Sequence, residues 1–338
     1  MDERILVTGG FGFIGSEFVR RASARGANTI VNVDAETYAG DRRRLAALGD
    51  RVDSRRLDIA DEDLVELVRE LRPRAVVHFA AESHVTRSEK QGDLFHRTNV
   101  TGTSRVMEAA AAADCDLVIH VSTDEVYGAC HGDAFREVDK EPGVGLATSP
   151  YAQSKALADD VAQSWAKRIP VVIVRPTNCY GPWQHPEKAV ARWTTRALLD
   201  LPVPVWGGGD QVRDWMFVED ACVGIELLLE RGVPGETYNL GPEGAQRSNW
   251  EMALLIARAA ERDDSSVYLT AYDRPEHDIR YAVDSSKIRD LGWRAGLGLE
   301  EGVARTVGWY RENASWWQTL RDEAEDLYAD SERRVPAE

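Results

Sequence analysis

A chain of 338 residues, 43% hydrophobic and 29% charged, can bury a large core and has the balance of an ordinary globular protein of one or two domains. Its formal net charge of −16 argues against nucleic acid and anionic membranes as partners. An anionic ligand would need a local cluster of Arg and Lys to reverse the sign inside its cleft.

The chain enters a strand pattern directly after Met1-Asp2-Glu3-Arg4, which predicts no signal peptide. No apolar run approaches the roughly 20 residues of a membrane span. Short apolar runs at 4–8, 29–34, 52–58, 75–79, 117–122 and 171–175 read as strands. Helical patterns at 13–25, 61–71, 91–113 and 151–168 fall between them. This alternation predicts parallel βαβ units in a doubly wound sheet, an α/β fold. Right-handed crossovers then bring all strand C-termini to one edge, where such sheets bind ligands. The residues expected there are Gly9 to Gly15, Asp34, Asp58-Ile59, Ala80 to His84, Ser122 to Glu125 and Thr177-Asn178.

The second half is richer in Pro and Gly. Strands are predicted at 203–206, 237–240 and 279–283, and helices near 187–200, 219–230, 248–261 and 299–313. This reads as a smaller α+β unit over the cleft, with some segments returning to the main sheet. The four cysteines, Cys115, Cys130, Cys179 and Cys222, form no C-x-x-C pair. They are expected as buried thiols in a reducing cytoplasm, with no metal site.

Three motifs carry chemistry. Gly9, Gly12 and Gly15 form a Gly-x-x-Gly-x-x-Gly turn between a strand and a helix. Glycines there allow a tight turn and close approach of backbone to a pyrophosphate at the helix N-terminus. Asp34, at the next strand end, would accept from an adenosine ribose and repel a 2′-phosphate, so NAD is expected over NADP. The adjacent Arg42, Arg43 and Arg44 are expected to form a solvated helix face. Tyr151 and Lys155 stand at i and i+4, on one helix face. An ammonium there would lower the phenol's pKa and let it take an alcohol proton. Thr123-Asp124-Glu125, at the end of a buried strand, is costly to place unless it is used. Both acids can serve one substrate only if the chain has left the strand, because strand neighbours point to opposite faces.

With these motifs the chain resembles an extended short-chain dehydrogenase/reductase with a Rossmann sheet. Within that group it is similar to the dTDP-glucose 4,6-dehydratases of bacterial deoxysugar pathways, over roughly residues 4–313. The resemblance rests on Thr8–Ser16, Asn32–Asp34, His78–His84, Thr98-Asn99, Ser122–Gly128, Tyr151–Lys155, Tyr180–Pro182, Gln184–Lys188, Val212–Trp215, Gly235–Asn239 and Asp273–Pro275.

It implies an NAD-binding domain over 1–176, a nucleotide-sugar-binding domain over 177–313 and a peripheral C-terminal tail over 314–338. The implied reaction oxidises C4 of a nucleoside-diphosphate glucose, eliminates water across C5 and C6, and returns hydride to C6. Tyr151 and Lys155 would serve the redox step, Thr123 the C4 oxygen, Glu125 as base and Asp124 as acid. Phe13, Ile14, Asp58, Ile59, Ala80, Ala81, Ser83, Thr98 and Asn178 join the implied NAD site. Ser83, Thr123, Asn178, Lys188, Pro204, Arg213, Asn249 and Arg274 join the implied substrate site, with Trp206 as a stacking face for the base and His277 near the nucleotide. A homodimer through helices 91–113 and 151–168 is expected by the same likeness.

Three departures bear on substrate preference. Thr86 stands where the family usually has Asp, Cys179 where it has a second Asn, and Ala189-Val190-Ala191 where it has Leu-Ile-Pro. The alternatives are an NDP-sugar 4-epimerase or a UDP-glucuronate decarboxylase on the same scaffold, which do not need both acids, and a non-catalytic NAD-binding sensor.

Overall fold

The computed structural model describes residues 4–26, 29–141, 143–272 and 277–333. Twelve strands occur among the described residues: β1 (Ile5–Thr8), β2 (Ile30–Asp34), β3 (Val52–Arg56), β4 (Ala75–His78), β5 (Leu117–Val121), β6 (Val171–Pro176), β7 (Asn178–Tyr180), β8 (Val203–Val205), β9 (Val212–Phe217), β10 (Thr237–Leu240), β11 (Gln246–Ser248) and β12 (Val267–Leu269). Seven of them form one parallel sheet in the order β10-β6-β5-β4-β1-β2-β3. The direction of winding reverses between β1 and β4, which opens a crevice at the C-terminal edge.

Side-chain alternation builds a core on each face of this sheet. Ile5 and Val7 of β1 pack with Phe18 and Val19 of helix Phe13–Ala24 and with Ile225 and Leu228 of helix Val218–Arg231. Leu6, between them, joins Leu64, Val106 and Ala162 from the helices of the other face. The long helical stretch expected over 91–113 forms as Gly92–Phe95, a π-turn His96–Gly102 and Thr103–Ala112. Gly102 permits this packing, because a Cβ there would lie 2.6 Å from Ile59 Cδ1.

The second half adds a three-stranded sheet, β11-β9-β7, and a pair, β12-β8, around a core that includes Trp193, Trp215 and Met252. Strand β10 joins the main sheet beside β6. The strand expected over 279–283 does not form. That segment makes only single bridges, Val212 with Arg280 and Phe135 with Val283.

The peripheral tail expected from 314 is also corrected. Residues Ala314–Arg333 form a helix. Trp317, Ala324 and Tyr328 recur at near-helical spacing and are buried at 6% exposure or less. Residues 334–338 lie outside the described residues. Among the described residues no helix is long and apolar enough to cross a membrane.

Candidate active site

At the first strand end, Gly9 holds φ +75°, and a Cβ there would sit 2.6 Å from the Ala80 amide nitrogen. A Cβ on Gly15 would meet the Gly9 carbonyl oxygen at 2.3 Å, so helix Phe13–Ala24 packs directly on the turn. Gly12 offers that helix no side-chain cap, which leaves its first N–H groups for a ligand. Asp34 accepts from Phe11 N–H at 2.9 Å and Glu36 N–H at 2.8 Å. Burial raises its pKa, opposed by those two amides. The fit to a dinucleotide is good: a turn that no Cβ can enter, an uncapped helix start and a carboxylate at the next strand end.

The expected solvated arginine face is only partly realised. Arg42 pairs with Glu36 and Arg43 with Asp41, both at the surface. Arg44 is buried and lines the cleft. It donates to the carbonyls of Phe11, Ala39 and Trp183, because the 3₁₀ segment Arg42–Arg51 turns that side chain inward.

Strand β5 ends at Val121, and Thr123, in extended conformation, caps a 3₁₀ turn over Asp124–Tyr127. Its Oγ1 accepts from Glu125 N–H at 3.3 Å. The chain has left the strand here, so Thr123, Asp124 and Glu125 all line the same cleft as Tyr151 and Lys155. Asp124 is 2% exposed. Burial first, then Glu125 and Asp214, hold its carboxyl well above the ordinary range and favour the neutral acid. Its Oδ2 has no hydrogen-bond partner among the described residues.

Tyr151 and Lys155 project from helix Pro150–Trp165, whose start is capped by Ser149 accepting from Ala152 N–H. The phenol differs from expectation. Its pKa is raised, by burial first, then by the charge of Glu125, with Thr123 acting the other way. Lys155 does not offset this: its ammonium donates to the Val121 carbonyl at 2.8 Å, and burial lowers its pKa to about 8.

The opposite wall carries Asn178, Lys188, Pro204, Trp206, Arg213, Asn249 and His277. Arg213 donates to the carbonyls of Val212 and Asp278 at 2.8 Å and stacks 4.2 Å above the Tyr281 ring. Lys188 donates to the Ser83 carbonyl at 2.6 Å, joining the loops that follow β4 and β7. The Trp206 ring meets Tyr272 at 4.9 Å and Tyr328 at 5.3 Å, both edge-on. Ser83, Thr86 and Cys179 line the cleft as well, with Phe13, Ile14 and Ala81 on the dinucleotide side. The free volume is about 420 Å³, within the range of small-molecule sites.

Some expected residues stand elsewhere. Asp58 is taken by Arg97 and by Ala60 N–H. Ile59 is buried against Gly102. Ala80 sits behind the glycine turn, its N–H 3.4 Å from Thr8 Oγ1. Thr98 is half-buried on the π-turn and outside the cleft lining, while the neighbouring Asn99 points inward to Ser154 Oγ at 2.8 Å and to Glu82. Arg274 lies outside the described residues. Arg44, Glu187, Arg192 and Tyr328 line the cleft beyond the expected residues, and His84, expected at the strand edge, lines it too. For Tyr328, the helical spacing of aromatic residues after 314 was the available signal.

Relatives of known activity share this whole architecture. The model of the NAD dependent epimerase/dehydratase family matches residues 5–241. A dTDP-glucose 4,6-dehydratase of Streptomyces niveus is 42% identical, covering 98% of this chain and 100% of its own length. One from Xanthomonas campestris pv. campestris is 41% identical, covering 94% of this chain and 95% of its own. The solved DesIV of Streptomyces venezuelae, a dTDP-glucose 4,6-dehydratase with NAD bound, superposes with TM-score 0.87 at 43% identity, covering 94% and 99% of the two chains. A Thermus thermophilus UDP-glucose 4-epimerase with NAD gives TM-score 0.84 at 29% identity, covering 92% and 99%. The glycine turn, the tyrosine–lysine helix and these near-full-length likenesses agree that the chain belongs to the NAD dependent epimerase/dehydratase family.

Proposed function

We propose that the chain is an NAD-dependent 4,6-dehydratase of a nucleoside-diphosphate glucose, dTDP-glucose foremost. The observation that carries this reading is the 3₁₀ turn placing Asp124 and Glu125 side by side in the cleft that also holds Tyr151. NAD, when bound, supplies the hydride acceptor for C4 and the hydride later returned to C6. Tyr151 takes the C4 hydroxyl proton as its phenolate, the form that the positive charge of oxidised NAD would favour when bound, and Thr123 holds the C4 oxygen. With C4 a ketone, the C5 hydrogen becomes acidic enough for Glu125 to remove. Asp124, kept neutral by burial, gives its proton to the departing C6 hydroxyl. Arg44, Lys188, Arg192 and Arg213 line the cleft and supply the positive charge for a diphosphate that the net charge of −16 lacks.

Residues 1–176 with β10 serve as the NAD-binding unit, and the rest of 177–313 as the nucleotide-sugar unit. A 4-epimerase would need Tyr151 and NAD but not both acids. We also infer a cytoplasmic homodimer through helices 91–113 and 151–168, supported by the exposed Leu94; light scattering at monomer mass would contradict it. The function is tested by incubating the protein with dTDP-, UDP-, CDP- and GDP-glucose. The expected outcome is a 4-keto-6-deoxy product, fastest from dTDP-glucose; turnover of none of the four overturns the reading.

A further inference from the structure

The C-terminal helix Ala314–Arg333 is tied to both sides of the cleft. Near its start, Trp316 Nε1 donates to Asp41 Oδ2 at 2.7 Å, on the dinucleotide side. Further along, Glu325 takes Arg192 at 2.9 Å and Arg196 at 2.8 Å, on the opposite side. Between these sides Tyr328 reaches the cleft itself, with the Arg192 guanidinium 4.3 Å above its ring.

The Tyr328 hydroxyl makes two contacts that fix a proton. It donates to the Glu187 carbonyl, and it stands 2.9 Å from His84 Nε2. A carbonyl has no hydrogen to give, so the phenol's single hydrogen is committed to Glu187. The phenol oxygen therefore accepts from His84, and Nε2 carries the imidazole hydrogen. Burial lowers the His84 pKa to about 3, so the ring is neutral. Its Nδ1 is then a bare acceptor, and it has no hydrogen-bond partner among the described residues. His84 is 5% exposed and lines the cleft. A buried acceptor left unmatched is costly unless a ligand meets it.

The ligand group has to be a donor, which rules out phosphate oxygens and leaves a hydroxyl or an N–H. Position favours the hexose, because β4 lies between β1, which carries the dinucleotide turn, and β5, which carries the acids, where cofactor and hexose meet. His84 lies on the loop after β4, and β4 pairs with β5 in register at His78 and His120. Loop 79–84 and the turn bearing Thr123 to Glu125 thus leave neighbouring strands at the same edge. We propose that Tyr328 is a positioning residue of the nucleotide-sugar site, holding the His84 imidazole as acceptor for a hydroxyl of the bound hexose. The inference rests on the nucleotide-sugar reading above and adds the C-terminal helix to that site.

The test compares two ligands by calorimetry on the NAD-loaded protein. Tyr328→Phe keeps the ring on Arg192 and removes only the hydroxyl. It should weaken dTDP-glucose binding about tenfold, the size of one lost hydrogen bond, and change dTDP binding less than about twofold. In turnover the loss should fall on KM rather than kcat. His84→Phe should show the same split, and the double variant should bind no more weakly than His84→Phe alone. Equal losses for the two ligands, no loss for either, or additive losses in the double variant would overturn the proposal. Wild-type protein that binds dTDP-glucose without forming a 4-keto sugar would instead overturn the proposed function, leaving the binding split as the measure of Tyr328.

Discussion

At the scale of single residues, the proposed acid and base differ in their surroundings. Asp124 is 2% exposed and held neutral, whereas Glu125, one residue on, is only half-buried. Asp124→Asn should still oxidise C4, seen as rapid reduction of bound nicotinamide on mixing with substrate. Water release should fall by roughly 10²–10⁴-fold. Unchanged turnover would remove Asp124 from the mechanism. The same substitution should alter stability with a definite sign. Folding raises the Asp124 pKa, so the native state keeps a proton that the unfolded chain releases above about pH 4. Stability from this group is full at lower pH and is lost as pH rises toward the raised value. Asp124→Asn removes the titration, so its melting temperature relative to wild type should climb between about pH 4 and neutrality. A flat difference would mean that the carboxyl is not held neutral.

At the scale of elements, legibility followed packing. The first six strands lie within about two residues of expectation, and five of them are largely buried apolar runs bounded by Gly, Pro or charge, while β3 buries only Val52. Strands β7, β11 and β12 have three residues each, too few for a period to show in the sequence. The turn bearing the two acids was legible as a requirement: two adjacent acids in one cleft demand that the strand end before them, and β5 ends at Val121. Arg44 was not legible, since a lone Arg in a basic run reads as surface until its contacts are known, and for Tyr328 only the helical spacing of aromatic residues pointed to burial. One further element matters beneath the site. On helix Pro150–Trp165, Asp159 lies one turn past Lys155 and faces Arg175 at 2.9 Å and His120 at 3.4 Å, all at 4% exposure or less. Asp159→Ala strands a buried guanidinium, so denaturant unfolding should report a loss of about 3–5 kcal/mol. A loss within about 0.5 kcal/mol, typical of surface sites, would mean that the pair is not part of the scaffold under Tyr151.

At the scale of the molecule, an acidic chain presents a cationic cleft between two cores, joined by a terminal helix. The parallel sheet brings the glycine turn, the acid pair and the tyrosine–lysine helix to one edge. The second core brings Arg213, Lys188 and Trp206 over against them. Such an arrangement suits a ligand whose one end is a diphosphate and whose other end is a hexose lying against the strand tips. The overall design is shared with a 4-epimerase of similar fold, so shape alone does not select the reaction. The selection lies in whether the C5 hydrogen is removed. The most direct measurement is turnover of dTDP-glucose in D₂O followed by NMR of the sugar. The expected product is a 4-keto-6-deoxy sugar carrying solvent deuterium at C5. A C4 epimer with every carbon-bound hydrogen retained would contradict it.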